Sequence, residues 1–190
     1  MSSLQTGQFA GPVGSTVGQH RFNPAAVVRE AQPNVRLYTP LYGRIELRAS
    51  VGDDPRTMAA LWLIGYEDEP ERSAEICVCE IFGRDVGQDT VLVGLGVHPF
   101  GDPGIADDFS RLELPIDVRL PHVYAAEWTP DGVTFLVDGA IVKHTGQSPA
   151  YPMQLMLNIY EFPASAEDGP PRPYPKALVV DSVRGYRLAR

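Results

Sequence analysis

The sequence predicts an all-β sandwich, and three observations lead to this prediction. Several segments alternate apolar and polar residues with a period of two, which is typical of half-buried strands. The 190 residues include 18 glycines and 18 prolines, a content that favours many turns between short strands. No segment has the 3.6-residue periodicity of an amphipathic helix. Many short strands joined by turns are the pattern of a sandwich.

The predicted strands follow one another along most of the chain. Residues 1–33 are rich in Gly, Pro, Ser and Gln, so we expect irregular structure with short edge strands there. From Tyr42 onward the strand patterns are "RIELRASV" (44–51), "MAALWLIG" (58–65), "SAEICVCEIFG" (73–83), "TVLVGLGVH" (90–98), "RLELPIDVRL" (111–120), "HVYAAEW" (122–128), "VTFLVDGAIVKH" (133–144), "MQLMLNIYEF" (153–162) and "ALVVDSVRGYRL" (177–188). The segment at 58–65 is apolar on both faces, which favours a central strand over the alternative of a short helix.

Turn residues and one proline refine this pattern. "TPDG" at 129–132 has Pro and Gly at favoured turn positions, and Asp138-Gly139 predicts a two-residue hairpin. Pro115 interrupts the strand at 111–120, which predicts an edge strand or a bulged one. "SAEDGPPRPYP" at 165–175 predicts a loop.

Size and charge limit the classes of function. A chain of 190 residues predicts one domain spanning residues 1–190. The net charge of -8 and the pI near 4.9 argue against binding nucleic acid or an anionic membrane. This negative charge is compatible with a small partner that is neutral or cationic. No stretch is long enough to span a membrane.

The termini and cysteines indicate a compartment. The first residues lack the basic and apolar regions of a signal peptide, which predicts a cytoplasmic protein or one whose export signal was removed. Cys77 and Cys79 lie too close on one strand to bond each other without distortion, so we expect both to be reduced.

Two glutamates within one apolar strand carry the functional hypothesis. Glu75 and Glu80 lie five positions apart, so a regular strand would point them to opposite faces. One extra residue, a β-bulge, would bring both to one face. Their backbone span of roughly 13 Å then allows carboxylates about 5 Å apart, as a retaining glycosidase requires. The alternative is that both are structural and pair with a base such as Arg72 or Arg84.

The same strand resembles the signature strand of glycoside hydrolase family 16. "AEICVCEIFG" is similar to that family's E-x-D-x-x-E pattern. The similarity extends over about residues 36–188, through "YGRIELRA", "ALWLIG", "HVYAAEWTPDGVTFLVDG", "MQLMLNIYEFP" and "VVDSVRGYRL". It implies a concanavalin-like jelly roll of two curved antiparallel sheets whose concave face forms a glycan cleft. It also implies retaining hydrolysis of a β-glucan or a related galactan, and it favours secretion.

The resemblance assigns roles and shows one departure. Glu75 matches the nucleophile and Glu80 the acid/base, whereas the central Asp of the pattern is Cys77. In the family that Asp tunes the protonation of both glutamates. A neutral thiol in its place should let Glu75 ionise more easily and hold Glu80 less firmly protonated. If Cys77 lies between the pair, the bulge falls at residues 78 and 79 and Cys79 turns into the core.

Other side chains are candidates for substrate binding. Trp62 either stacks on a sugar ring or lies in the core, and Trp128 is expected in the core. His98 ends its strand at the rim of the cleft. Asn158 is either a structural bridge or a cleft residue, with the cleft favoured, and Tyr160 shares its face.

Further features qualify the site. The charged "EDEPERS" (67–73) replaces an aromatic-rich stretch of the family, so we expect few aromatic platforms. Arg72 is a candidate partner of a cleft carboxylate.

No Cys/His spacing supports zinc, and no cofactor is expected. A structural calcium ion, which the resemblance implies, has Asp181 as its nearest match. His20 and His144 are expected at the surface. The chain begins with fewer strands than the family has, which favours a truncated start.

Three functions follow from these observations. The first is a retaining β-glycan hydrolase with an oligosaccharide or polysaccharide substrate. The second is a carbohydrate-binding domain or degenerate hydrolase without turnover, because of Cys77 and the charged stretch at 67–73. The third is a structural sandwich whose glutamates are only ion-paired.

Overall fold

The computed structural model describes residues 1–18, 25–165 and 172–188. His20 and most of the 165–175 loop lie outside these ranges. The described strands are β1 (Ser2–Gln5), β2 (Gly7–Gln8), β3 (Val35–Arg36), β4 (Gly43–Val51), β5 (Thr57–Gly65), β6 (Glu75–Phe82), β7 (Val91–His98), β8 (Asp108–Leu114), β9 (His122–Thr129), β10 (Gly132–Val137), β11 (Ala140–Thr145), β12 (Met153–Glu161) and β13 (Leu178–Tyr186). One 3₁₀ turn, Gly83–Asp85, follows β6.

The strands form two antiparallel sheets that enclose one hydrophobic core. The six-stranded sheet has the order β1-β12-β5-β6-β7-β8, and the five-stranded sheet has the order β11-β10-β9-β4-β13. β2 and β3 form a separate two-stranded pair. The predicted all-β sandwich is thereby confirmed. Within the described residues, no helix has the length and apolar character needed to cross a membrane.

Alternation along each strand divides core from outer face. In β5, Leu61 and Leu63 are buried between the sheets, whereas Trp62 lies on the outer face of the six-stranded sheet and is half-buried. Trp128 packs in the core, as expected, and donates its indole N–H to the carbonyl of Pro149 (3.1 Å). The outer face is therefore the surface on which polar side chains of these strands can meet a ligand.

The predicted hairpin turn and the predicted edge strand are confirmed. Asp138 and Gly139 both adopt positive φ (50° and 82°) between β10 and β11, the backbone of a tight hairpin turn. β8 ends at Leu114, directly before Pro115, and forms an edge of its sheet. At the other edge, β1 pairs with β12, although its residues show no clear alternation in the sequence.

Two glycines on the outer face of β7 let β8 approach closely. Gly96 has φ of 145°, and a Cβ there would lie 2.2 Å from the carbonyl oxygen of Asp108. A Cβ on Gly94 would lie 2.5 Å from the ring of Phe109. Glycine inside a strand marks such close approach, so "VLVGLGVH" already contained the signal for a ring lying across β7.

We expect Gly96→Ala to destabilise the protein by about 2 to 3 kcal/mol, because it adds backbone strain at positive φ and a contact with β8. Thermal denaturation measures this loss. Gly146→Ala is the control, since a Cβ there meets no atom within 4 Å. Equal melting temperatures for the two variants would contradict the described packing.

Candidate active site

A β-bulge in β6 places both glutamates on the outer face. Cys77 faces Gly96 and Glu80 faces Gly94 across β7, so Val78 and Cys79 together oppose one residue. The pairing with β5 shifts at the same point, between Leu61 and Trp62. Val78 and Cys79 both enter the core cluster. The bulge predicted at residues 78 and 79, with Cys79 in the core, is thereby confirmed.

The outer face of β5, β6 and β12 forms a cavity of about 240 Å³. We call it the carboxylate cavity. Its described lining residues are Met58, Ala60, Trp62, Glu75, Cys77, Glu80, Tyr160 and Phe162. The volume suits a single ring rather than a drug-sized ligand, which needs roughly 300 Å³ or more.

Cys77 lies between the glutamates, on the floor of this cavity. It is only 1% exposed, and its thiol points to the carbonyl of Gly94 at 3.9 Å. Burial, and then the charges of Glu75 and Glu80, raise its pKa well above the ordinary value. The thiol is therefore neutral at physiological pH. Both cysteines are free, as expected.

The two carboxylates have different surroundings. Burial, followed by the charge of Glu80, raises the pKa of Glu75 to about 8. Burial also raises the pKa of Glu80, but there the charges of His98 and Arg111 act in the opposite direction. The expectation that a neighbouring thiol lets Glu75 ionise easily is thus outweighed by burial. Burial thus raises the pKa of both carboxyl groups, and only for Glu80 do nearby basic side chains oppose the rise.

The structural alternative for the glutamates required basic partners. Among residues 1–18, 25–165 and 172–188, neither Glu75 nor Glu80 forms an ion pair within 4.0 Å. Arg72 instead pairs with Glu69 (2.9 Å) and Asp68 (3.5 Å) in its own loop. Arg84 lies over the ring of Phe82. The hypothesis that Arg72 pairs with a cleft carboxylate is therefore wrong.

Aromatic side chains line the cavity despite the charged stretch at 67–73. Trp62, Tyr160 and Phe162 are three of its eight described lining residues, and they come from β5, β12 and the residue after β12. Burial, then Glu75 and Glu80, raises the pKa of the Tyr160 phenol. β5 and the end of β12 thus supply aromatic side chains to the cavity, whereas the charged stretch at 67–73 supplies none of its described lining residues.

Asn158 supports Trp62 rather than lining the cavity. It is 1% exposed; its Oδ1 accepts the Trp62 indole N–H (2.7 Å), and its Nδ2 donates to the Ser3 hydroxyl (2.6 Å). The cleft position favoured for Asn158 is thus replaced by the other alternative, a structural bridge. The bridge fixes the edge of an indole that lines the carboxylate cavity.

We expect Asn158→Ala to shift the tryptophan emission and to lower stability by about 1 to 3 kcal/mol, since it removes a buried amide that bonds to both the Trp62 N–H and the Ser3 hydroxyl. Fluorescence and thermal melts measure both. Ser3→Ala removes only the hydrogen bond between Asn158 and Ser3 and should therefore change the emission less. An unchanged emission spectrum in Asn158→Ala would show that the bridge does not set the environment of Trp62.

His98 lies at the rim, as expected, together with an aromatic residue that sequence reasoning missed. It faces Glu75 across the β6–β7 pair, and its ring stacks on Phe109 with centroids 4.6 Å apart. Its Nδ1 lies 2.6 Å from Asp107 Oδ1. Phe109 lies across Gly94, beside Glu80. His98 and Phe109 therefore stack on each other beside the glutamates, although neither is among the described residues that line the carboxylate cavity.

The structure shows no metal-binding cluster of three or more His, Cys, Asp or Glu in the ranges that it describes. Asp181, the nearest match for a calcium ligand, pairs with Arg48 at a bulge of β13. His144 is exposed, as expected.

Comparisons with known proteins found a matching family, a similar sequence and similar folds. The model of the family described as "Glycosyl hydrolases family 16" matches residues 37–171. A β-glucanase of Rhodothermus marinus is 29% identical over 169 residues, covering 77% of this chain and 57% of that protein.

Solved structures share the fold. The GlcNAcα1-4Gal-releasing endo-β-galactosidase from Clostridium perfringens superposes with a TM-score of 0.76 at 23% identity, covering 97% of this chain and 45% of that chain. A LamA variant from Zobellia galactanivorans, in complex with laminaritriose and laminaritetraose, gives 0.56 at 21% identity, covering 79% and 67%. The jelly-roll sandwich predicted from the sequence is thereby confirmed.

The chain spans about half the length of its relatives, 57% of the β-glucanase and 45% of the endo-β-galactosidase. The family match nevertheless covers residues 37–171, which is more than half of the 190 residues. The chain therefore belongs to glycosyl hydrolase family 16.

Proposed function

We propose that the protein is a retaining glycoside hydrolase acting on a β-glucan or a related polysaccharide. The observation that carries this proposal is the bulge in β6, which turns Glu75 and Glu80 into one cavity without basic partners among the described residues. Two carboxylates in a partly buried site without basic partners cost free energy, and groups of this kind cluster at functional sites. Family membership and the β-glucanase relative support the substrate class.

The proposed reaction proceeds in two displacements. Glu80 donates a proton to the glycosidic oxygen while the bond from that oxygen to the anomeric carbon breaks. Ionised Glu75 bonds to the anomeric carbon and forms a glycosyl-enzyme. Water then attacks that carbon, Glu80 accepts its proton, and the bond to Glu75 breaks. Two inversions give net retention. Trp62 and Tyr160 would hold the ring against the pair.

A second candidate is carbohydrate binding without turnover, and the charges in the cavity favour it. The reaction needs ionised Glu75 and protonated Glu80, whereas burial raises the pKa of Glu75 to about 8 and basic side chains oppose the rise in the pKa of Glu80. The neutral thiol of Cys77 adds no charge between them. A sugar ring can still stack on the aromatic side chains and bond to the carboxyl groups in this state.

We expect the protein to release reducing ends from a β-1,3-glucan, a mixed-linkage β-glucan or a galactan, and Glu75→Gln to lower the rate at least about 10³-fold while retaining binding. Reducing-end assays and calorimetry measure the two quantities. Nuclear magnetic resonance of the first product should show the β anomer. Glu113→Gln is the control, because Glu113 is exposed on β8 outside the cavity.

The outcomes separate the candidates. Binding without release supports the binding domain. Neither binding nor release supports a structural sandwich. Equal rates for the wild type and Glu75→Gln would contradict the proposed nucleophile.

A further inference from the structure

Lys176 is a buried cation that the proposed mechanism does not use. Its side chain is only 7% exposed, and the residue lies just before β13. The ammonium group donates to the carboxylate of Glu161 (2.7 Å) and forms an ion pair with Asp54 (3.2 Å). Glu161 is the last residue of β12, and Asp54 lies in the connection between β4 and β5. Lys176 therefore joins three segments that are far apart in the sequence.

Arg56 bonds to the backbone of Phe162 in two ways. The N–H of Phe162 donates to the carbonyl of Arg56 (2.8 Å), and Nε of Arg56 donates to the carbonyl of Phe162 (3.3 Å). The same guanidinium pairs with Glu161 (3.2 Å), and the backbone N–H of Arg56 donates to Asp54 Oδ1 (2.9 Å). Arg56 and Lys176 thus share the carboxylates of Asp54 and Glu161. We call these four residues the charged latch.

Phe162 is the residue at which the charged latch meets the candidate active site. It follows Glu161 directly, lines the carboxylate cavity and is 38% exposed. Its ring stacks on that of Phe82, with centroids 5.9 Å apart and an interplanar angle of 19°. The pairing of β12 with β5 ends at Glu161 and Thr57, so the bonds with Arg56 extend it by one residue. These bonds hold the backbone from which the Phe162 ring enters the cavity wall.

The charges of the latch define one geometry for Glu161. Its carboxylate accepts from Lys176 and from the hydroxyl of Tyr174 (2.7 Å), in addition to the ion pair with Arg56. The hydrogen bonds from Lys176 and Tyr174 lower the pKa of Glu161, so it remains ionised at neutral pH. Burying a lysine costs desolvation, which well-placed carboxylates offset only when the geometry is good. A displaced Glu161 would therefore lose several contacts at once, and Phe162 would move with it.

We infer that Lys176 and Arg56 are positioning residues for the carboxylate cavity, which act through Glu161 and the adjacent backbone on the Phe162 ring. This inference rests on the proposed glycan-binding function. A cavity wall contacts the sugar ring both in the bound substrate and in the transition state. The latch therefore contributes to substrate binding and leaves the chemical step unchanged.

The test compares the same substitution at the two lysines of the chain. Lys143 also pairs with a carboxylate, that of Asp108 (2.7 Å), and it does not line the carboxylate cavity. Lys176→Met should raise KM for a β-glucan oligosaccharide about fivefold to tenfold at unchanged kcat, because the wall is displaced. Lys143→Met should leave KM unchanged. Both variants should lower the melting temperature, so an effect on KM confined to Lys176→Met reports positioning and not stability.

Calorimetry in the Glu75→Gln background measures the same affinities without turnover. Lys176→Met should weaken oligosaccharide binding there by about the same factor. Lys176→Arg keeps the charge and should restore most of the affinity. If Lys176→Met folds poorly, Arg56→Met tests the same latch, because it removes the bond from Nε to Phe162 and the ion pair with Glu161. It should weaken binding in the same way.

A double-mutant cycle shows whether Lys176 acts through Phe162. Phe162→Leu should weaken binding by itself, and Lys176→Met added to it should cause little further loss, because the ring that the latch holds is already absent. Additive losses would overturn the inference. Unchanged affinity in both Lys176→Met and Arg56→Met, or an equal loss in Lys143→Met, would also overturn it and leave the proposed function intact. Failure of the wild type to bind any oligosaccharide would overturn both.

Discussion

Glu75→Gln is expected to raise the melting temperature at pH 8.5 by roughly 10 °C while leaving it nearly unchanged at pH 4. The pKa of Glu75 rises from 4.5 to about 8 in the folded protein, chiefly because of burial. Between these values the folded state holds a proton that the unfolded state has lost. Stability therefore falls as pH rises through this window.

The size of the effect follows from the shift. At 1.36 kcal/mol per pKa unit, the ionised carboxylate costs about 3 to 5 kcal/mol above pH 8 and nothing below pH 4. Glutamine keeps the shape and cannot ionise, so it removes this cost. The protein would then gain stability by losing its proposed nucleophile, a trade-off common at active sites.

Thermal melts of wild type and Glu75→Gln across pH 4 to 8.5 measure this difference. Glu113→Gln serves as the control, because Glu113 is exposed on β8, the edge strand of the same sheet. A stability difference that is the same at both ends of the pH range would show that Glu75 ionises in the folded protein as it does in the unfolded chain.

Cys77→Asp is the second substitution with a large expected effect. The position is 1% exposed between two carboxyl groups, so an aspartate there should lower stability at pH 7 by about 3 kcal/mol or more. Its negative charge should raise the pKa of both neighbours, which moves the pH–rate profile toward higher pH by about one unit. The stability loss should shrink at pH 4, where carboxyl groups become protonated.

The matched control is Cys77→Asn, which has the same size as aspartate without the charge. Melts and pH–rate profiles of the two variants isolate the effect of charge from that of shape. A displaced profile for aspartate alone supports a working catalytic pair. If the profile stays in place while the melting temperature falls, Cys77 affects the core and not the reacting carboxylates.

Much of the fold could be predicted from local patterns. Alternation in residues 44–51 and 90–98 gave strands because one face of each packs on the core. The hairpin at Asp138-Gly139 could be predicted because positive φ at two successive positions requires such residues. Even the bulge in β6 could be predicted, since five positions place two carboxylates on one face only if the strand gains a residue.

The parts of the site that sequence reasoning missed depend on contacts between distant segments. Trp62 and Asn158 are 96 positions apart and meet only because β12 pairs with β5. Gln154 lines a cavity together with residues of the N-terminal segment, which has no strand periodicity. Cross-strand neighbours of this kind are set by topology, which no local pattern encodes.

Because of the bulge in β6, the site depends on the number of residues between Glu75 and Glu80 as well as on which residues they are. Val78 and Cys79 together occupy one position of the ladder, so deleting Val78 would restore regular alternation from Glu75 to Phe82. Glu80 would then rotate into the apolar core, or the downstream strand would slip to avoid that burial. A single deletion in this strand would therefore erase the carboxylate pair without replacing either glutamate.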